Sequence, residues 1–395
     1  MSEKSRLRPV FYRDVMHSLP YWRLSGFYFV YFAFVGAFAP YWSLYLKSLE
    51  FSAFQIGVLM SLLQVARSFA PNLWGWLADH TGRGVHIVQA AAGLSLLSYL
   101  GVFAGQSFVW MFVVMALMSI FWSASLPLVE AITLGHLGEG TSGYGRIRLW
   151  GSIGFMISVI GLGYVLDYLP IRALLWMVLG LKIGVLLFSR WIPEPHAVRH
   201  HSDVAPVWEI IKRPEIMAFL AATFLMAAAH GVYYTFYSIY LVDLGYSKGA
   251  VGWLWSVGVL CEVMVFLGMP KLVAAAGLRN ILLVSFLLAT LRFLLIGFGA
   301  QWLAVVVLAQ FLHAASFGSY HAASVEVIHR FFRGRHNAKG QAIYTSVSFG
   351  LGGTIGGLWS GWLWEPVGPE ITFAISSLAT LLGFVLLFWR LRLPD

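Results

Sequence analysis

The chain has 395 residues, of which 59% are hydrophobic and only 11% charged, and its formal net charge is +9. Soluble domains carry roughly a quarter charged residues, so this composition excludes an ordinary soluble protein and fits a surface that faces lipid. The single cysteine, Cys261, excludes an intramolecular disulfide framework, and no Cys/His cluster has the spacing of zinc ligands, so we expect neither a metal nor a cofactor.

Apolar segments of membrane-spanning length follow one another along the chain. A hydrocarbon core of about 30 Å needs roughly 20 apolar residues in an α-helix, and the segments lack the short alternation of a membrane β-barrel. The first is too long for a signal peptide and shows no convincing cleavage site, so we interpret it as a retained helix. The predicted fold class is an all-α polytopic membrane protein with twelve helices, near 24–46, 54–77, 85–104, 108–134, 147–169, 171–192, 214–243, 250–270, 279–298, 302–326, 340–365 and 369–390.

The longest polar connection separates the sixth segment from the seventh and divides the chain into two bundles of six helices. We predict a cytoplasmic amino-terminal segment at 1–23, a bundle at 24–192, a cytoplasmic linker at 193–213, a second bundle at 214–390 and a cytoplasmic tail at 391–395. The histidines of the linker are interpreted as part of a solvated loop.

The distribution of basic residues predicts the orientation. With a cytoplasmic amino terminus, that side receives twenty Lys and Arg residues, and the opposite side receives only Lys47, Arg172 and Lys248. This bias is typical of cytoplasmic loops. It predicts a bacterial-type inner membrane protein with both termini in the cytoplasm, and it explains the net charge without a nucleic-acid partner.

The two halves share an internal repeat. YLKSLEFSAFQIG at Tyr45–Gly57 aligns without gaps on YLVDLGYSKGAVG at Tyr240–Gly252, an offset of 195 residues. The same offset pairs Gly161 with Gly356 and Gly145 with Gly340. Parallel six-helix repeats are an architecture of secondary transporters.

GWLADHTGRG at Gly75–Gly84 resembles the G-x-L-A-D-x-x-G-R loop signature of the major facilitator superfamily. YGRIRLWGS at Tyr144–Ser152 and QFLHAASFGSYHAA at Gln310–Ala323 resemble the phenylpropionate permease family of proton symporters for aromatic acids. The resemblance implies two pseudo-symmetric bundles around a midplane site. It also implies that Asp79 contacts the start of helix 11 and closes the cytoplasmic side. The predicted gating residues are Gly75, Asp79, Gly82, Arg83, Arg146 and Arg148.

Ionisable side chains at mid-bilayer are costly and usually face a cavity, a partner or a transport pathway. Arg67 lies near the middle of helix 2, and its repeat mate is Glu262 in helix 8. We expect both to face the central cavity, with Arg67 either binding substrate or forming a structural ion pair. Glu130 lies close in depth to Arg146 and Arg148, where a salt bridge is the simpler interpretation and substrate contact the second.

Glu262, Arg292 and His313 fall at similar depths in helices 8, 9 and 10. This layout resembles sugar–proton symporters related to lactose permease, but no acid follows His313 within one helical turn. Glu326 lies thirteen residues later, so the proton-carrying carboxylate is left open among Glu262, Glu130 and Glu326. His313 alone is equally well explained by an interhelical hydrogen bond.

Three further side chains, His230, Tyr234 and Trp255, complete the predicted substrate site, although aromatic residues in membrane helices more often serve packing. The role of Lys182 is left open.

We predict proton-coupled uptake of a small organic anion, an aromatic carboxylate, by alternating access. Arg67, Arg292 or both would hold the carboxylate, and Glu262 would be the leading proton carrier. The alternatives are a nucleoside or sugar symporter, a drug efflux antiporter and, in a different class, a non-transporting membrane sensor. No nucleophile–base set indicates an enzyme. The expected partners are the substrate, the proton and the lipid bilayer, and we expect a monomer.

Overall fold

A computed structural model describes residues 20–137, 143–194 and 207–393, and in these ranges the chain forms helices and no strands. Most of the predicted linker, residues 195–206, and residues 1–19 of the amino-terminal segment lie outside the described residues. Ten helical spans of the described part are long and apolar enough to cross a membrane.

Two of the ten spans are too long for one crossing. Lys248–Gly299 has 52 residues and Asn337–Arg390 has 54, so each would extend about 80 Å at 1.5 Å per residue. Each is broken by a glycine at positive φ, Gly277 (φ 73°) and Gly368 (φ 83°), a conformation that side chains disfavour. Divided there, the spans give the twelve predicted helices. They are α1 Tyr21–Ser48, α2 Ala53–Thr81, α3 Gly84–Leu100, α4 Phe108–Leu137, α5 Tyr144–Tyr168, α6 Ala173–Trp191, α7 Pro214–Asp243, α8 248–276, α9 278–299, α10 Leu303–Phe331, α11 337–367 and α12 369–390.

Several helices run past the predicted limits. Helix α1 begins at Tyr21, three residues before the predicted start, and α2 continues to Thr81. Hydropathy detects only the part of a helix within the hydrocarbon core, whereas the polar ends of the same helix extend into the headgroup region. Helices α10 and α11 each contain a π-helical turn, at Ala314–Ser319 and Ser346–Gly352.

The repeat seen in the sequence is also a repeat of packing. Helix α1 crosses α5 at Gly36, where a Cβ would lie 2.6 Å from the carbonyl oxygen of Phe155. Its repeat mate Gly231 brings α7 against α11, where a Cβ would lie 2.2 Å from the carbonyl carbon of Gly356. Only glycine permits either backbone approach, so equivalent helix pairs in the two bundles are held together in the same way.

The bundles meet along two equivalent seams, α2 against α11 and α5 against α8. Gly57, near the start of α2, approaches the backbone of Gly357 and Gly361. Its repeat mate Gly252, near the start of α8, approaches the carbonyl oxygen of Val159. Both close approaches lie toward the end of the molecule where α7 finishes, which we call the Asp243 end. The opposite end, where α2 finishes, is the Gly82 end.

Candidate functional site

Arg67 is the mid-depth cation of α2. It is half-buried, and its Nη1 donates a hydrogen bond to Oε1 of Gln64, 3.2 Å away on the same helix. It lies close enough to Tyr31 of the amino-terminal bundle and Tyr234 of the carboxy-terminal bundle to interact electrostatically with both. Within the described part of the chain it forms no ion pair, so its charge has no protein carboxylate as a partner there.

Glu262 and His313 are in contact across α8 and α10, with Oε1 and Nε2 2.6 Å apart, a distance at which the two side chains share a hydrogen bond. The Glu262 side chain is 15% exposed and that of His313 is 5% exposed. Gly318, in the π-helical turn of α10, lies against Glu262, since a Cβ there would be in van der Waals contact with its Cγ at 3.4 Å. The structure thus brings together two of the three residues that the sequence placed at one depth.

Arg292, the third of these residues, lies behind the pair and is fully buried. Its Nε donates to the carbonyl oxygen of Ala309 at 3.2 Å, and its guanidinium carbon lies 4.2 Å from the centroid of the Tyr233 ring. Its Nη1 lies 3.3 Å from Nε2 of His230. Because Arg292 is fully buried, a carboxylate could reach it only after neighbouring side chains move.

The position of His230 follows from this contact. Its Nδ1 lies 2.8 Å from the carbonyl oxygen of Met226, which only accepts, so Nδ1 carries the proton. Nε2 is then the acceptor for Arg292, and the ring is neutral. His230 therefore anchors Arg292 instead of presenting a free nitrogen to a ligand.

The predicted aromatic residues surround the same region. Tyr234 is half-buried, and its ring centroid lies 6.0 Å from that of Trp255. Trp255 is nearly buried, and its Nε1 donates to Oγ of Ser238 at 3.1 Å. Phe317 stacks on His313 at 5.5 Å with an interplanar angle of 10°. Of the described side chains in this cluster, Tyr234 is therefore better placed than Trp255 to contact a ligand.

The other predicted proton carriers have partners elsewhere. Glu130 lies 3.6 Å from Nε of Arg148 and accepts a hydrogen bond from the Tyr144 hydroxyl at 3.2 Å, the interhelical salt bridge that was the simpler interpretation. Glu326 pairs with Arg330 one turn along α10, at 3.2 Å. Arg146 is exposed. Neither Glu130 nor Glu326 joins the Glu262–His313 pair.

The Gly75–Arg83 segment ends α2 and leads into α3. Gly82 terminates α2 in the left-handed conformation (φ 65°), which explains a glycine at this place in the motif. Asp79 and Arg83 are exposed, and a Cβ at Gly75 would meet nothing within 4 Å. Asp79 makes no hydrogen bond or ion pair with another residue of the described ranges. Its contact with the start of α11 is thus not formed in this conformation and stays a prediction.

The Asp243 end carries inter-bundle contacts that sequence reasoning missed. Lys47 of α1 lies 2.5 and 2.7 Å from the carboxylate oxygens of Asp243 in α7. The carboxylate of Asp167 accepts hydrogen bonds from the first two amides of α8, Lys248 at 2.7 Å and Gly249 at 3.0 Å. We call three sets of contacts the end latch: the Lys47–Asp243 pair, the hydrogen bonds of Asp167 to the start of α8, and a hydrogen bond of Glu365 to the start of α2.

Glu365 makes the matching contact in the other seam, because its carboxylate accepts a hydrogen bond from the first amide of α2, Ala53, at 2.8 Å. The signal available in the sequence was the repeated serine of the aligned segments. Ser52 and Ser247 are repeat mates, and each caps one of these two helices. Helix N-termini attract carboxylates, so an acid from the facing bundle was a reasonable expectation.

Two bundles of six helices related by a repeat, with charges of both signs between them, define a membrane transporter of the two-repeat class. A model of the MFS_1 like family matches residues 21–375. The chain belongs to this family and is a membrane transporter of the major facilitator superfamily.

The chain is 31% identical over 364 residues to the probable 3-phenylpropionic acid transporter of Escherichia coli, covering 91% of this chain and 94% of the relative. It is 25% identical over 355 residues to a putative nucleoside transporter, YegT, of the same species, covering 85% and 82%. The crystal structure of the nucleoside transporter NupG superimposes with a TM-score of 0.81 at 18% identity, covering 95% of this chain and 99% of that one. These relatives are transporters, as expected for a chain without a catalytic set.

Proposed function

We propose that the protein takes up a small aromatic carboxylate together with a proton, by alternating access across the inner membrane with both termini in the cytoplasm. The observation that carries the proposal is the state of the charges at mid-depth. Arg67 has no carboxylate partner among the described residues, and Glu262, its repeat mate in the other bundle, is already in contact with His313.

An unpaired arginine inside a membrane protein is costly unless an anion or water compensates it. A substrate carboxylate would supply the missing charge, and the planar guanidinium can hold both of its oxygens. Tyr31 of one bundle and Tyr234 of the other both interact electrostatically with Arg67. An aromatic acid bound there would place its ring against tyrosine and its carboxylate at Arg67.

The Glu262–His313 pair supplies a proton site. Protonation of Glu262 removes its charge and weakens the attraction to His313, and the partial exposure of the carboxylate gives a proton access from the central space. A bound anion and a bound proton would then favour each other, because coupling between two ligands is reciprocal. The likeness to the probable 3-phenylpropionic acid transporter supports the same substrate class.

Uptake into proteoliposomes tests the proposal. Labelled 3-phenylpropionate should accumulate when an inward proton gradient is imposed and should not accumulate when a protonophore dissipates it. Arg67→Lys keeps the charge but loses the planar fork, so it should weaken binding of the acid several-fold while binding of the neutral amide changes little. Proton-independent equilibration of the acid would refute coupling, and equal losses for acid and amide would make Arg67 structural.

A nucleoside is the second candidate, because a putative nucleoside transporter is among the relatives and the stacked aromatic cluster would accept a flat base as readily as a phenyl ring. Labelled uridine in the same vesicles separates the two. Uridine uptake that 3-phenylpropionate does not inhibit would favour the nucleoside. Unlike the acid, a neutral nucleoside supplies no counter-charge to Arg67.

A further inference from the structure

Lys182 is a buried cation in the core of the amino-terminal bundle. It is 2% exposed, about halfway along α6, and its Nζ lies 2.8 Å from Oγ of Ser95 on α3. Three aromatic rings surround the ammonium, with centroids 4.5 Å (Phe34), 4.7 Å (Trp122) and 5.7 Å (Tyr99) from Nζ. In residues 20–137, 143–194 and 207–393 no carboxylate pairs with it.

The carboxy-terminal bundle indicates what the fold requires at this position. At the offset of 195 residues, Lys182 corresponds to Ser377 and Ser95 to Thr290. There Ser377 Oγ donates to the carbonyl oxygen of Thr290 at 2.9 Å and bridges the equivalent helices, α12 and α9. A hydroxyl is sufficient for this bridge, so the cation of the amino-terminal bundle is not explained by packing, and a buried cation has a cost that the hydroxyl avoids.

A stack of rings links Lys182 to the central space. The ammonium lies against one face of Trp122, and the Trp122 ring stacks on Tyr31 at 4.3 Å with an interplanar angle of 8°. Tyr31 also interacts electrostatically with Arg67. Two stacked rings, Trp122 and Tyr31, therefore separate Lys182 from the Arg67 region, and they screen charge far less than water does.

We propose that Lys182 is a specificity-determining residue: without touching the substrate, the charge of its ammonium form favours an anion over a neutral molecule at the Arg67 site. The inference rests on the proposed function, since it assumes that an anion binds beside Arg67. The ring faces of Phe34, Trp122 and Tyr99 stabilise the ammonium through cation–π contacts, and they hold its charge at a fixed distance behind the site.

The test compares binding of 3-phenylpropionate and its amide to the purified full chain in lipid nanodiscs. Lys182→Met removes the charge at similar length. Two charges about 15 Å apart at an effective dielectric constant of about 20 change affinity by roughly sixfold, so the acid should bind about sixfold more weakly and the amide nearly as before. Lys182→Arg should keep the preference for the acid, because arginine stays charged.

Ser95→Ala is the matched control. It removes the hydrogen bond of Lys182 but keeps the charge, so the ratio of acid to amide affinity should stay close to that of the unaltered protein. This ratio is measured within each variant. A partly unfolded preparation reduces the fraction of binding-competent protein for both ligands alike and leaves the ratio of affinities unchanged.

Equal weakening of acid and amide in Lys182→Met would assign Lys182 a structural role and overturn the inference while the proposed function stands. Unchanged affinities for both ligands in Lys182→Met would overturn it too, since the charge would then have no effect at the site. Failure of the unaltered protein to bind the acid is a separate result that overturns the proposed function itself.

Discussion

Replacing Asp167 by asparagine should shift the transporter toward opening at the Asp243 end. The carboxylate accepts hydrogen bonds from the amides of Lys248 and Gly249, at the positively polarised start of α8. Asparagine keeps an oxygen that can accept one of them but loses the charge. Hydrogen bonds to a charged group contribute about 1.5–3 kcal/mol, against about 1 kcal/mol for neutral ones. Because Asp167 is exposed, solvent reduces the difference to about 1 kcal/mol, roughly a fivefold shift in the equilibrium.

Distances between spin labels measure this shift. Tyr168 at the end of α5 and Leu244 after α7 are exposed and belong to different bundles, so labelled cysteines at these positions, in a Cys261→Ser background, report on separation at the Asp243 end. Asp167→Asn should raise the population with the longer distance about fivefold. Glu365→Gln should act in the same direction but less strongly, because Glu365 accepts a hydrogen bond from one helix amide instead of two.

Glu209→Gln is the control, since Glu209 is exposed and pairs with Lys212 three residues away. It removes a carboxylate without touching a contact between bundles, and the distance distribution should not change. If Asp167→Asn leaves the two populations as they are, the end latch is a passive surface contact and the reasoning from the helix N-terminus is wrong.

Three further predictions follow from the proposed transport cycle. Glu262→Gln imitates the protonated carboxylate, so vesicles should still exchange substrate but should not concentrate it under a proton gradient; accumulation would move the proton site to Glu130 or Glu326. Asp79→Asn should slow transport with little change in substrate affinity, and a loss of affinity would place Asp79 in the binding site instead. Reporter fusions after positions 107 and 299 should read as periplasmic, and one after 201 as cytoplasmic, whereas a periplasmic result at 201 would overturn the count of twelve helices.

The fold was largely predictable from the sequence because it depends on length, hydropathy and the repeat. Gly277 and Gly368 separate the helices that hydropathy had already separated, and Gly36 and Gly231 use the 195-residue offset for the same helix crossing. These properties are visible along one dimension of the chain. The all-α membrane fold was confirmed, and the ten described spans, two of them broken by glycine, fit the prediction of twelve helices.

The candidate site was less predictable because depth along a helix does not specify the direction in which a side chain points. Depth alone placed Glu262, Arg292 and His313 together, and the 2.6 Å contact of Glu262 with His313 agrees with it. Arg292 has the same depth but points behind Tyr233 and toward His230. The acids of the end latch were missed for a related reason: which helix N-terminus an acid reaches depends on how two bundles meet, and no local pattern records that.

Repeat mates that differ in charge indicate how the two bundles could bind different ligands during coupled transport. Arg67 corresponds to Glu262, and Lys182 corresponds to Ser377, so the amino-terminal bundle holds cations where the carboxy-terminal bundle holds an acid and a hydroxyl. If the anion binds at Arg67 and the proton at Glu262, each ligand neutralises a charge in a different bundle. Loading only one of them leaves an unpaired charge at the seam when the bundles rock past each other, and buried unpaired charges are costly. Coupling would then arise from the energy of the half-loaded carrier and would need no direct contact between the proton site and the substrate.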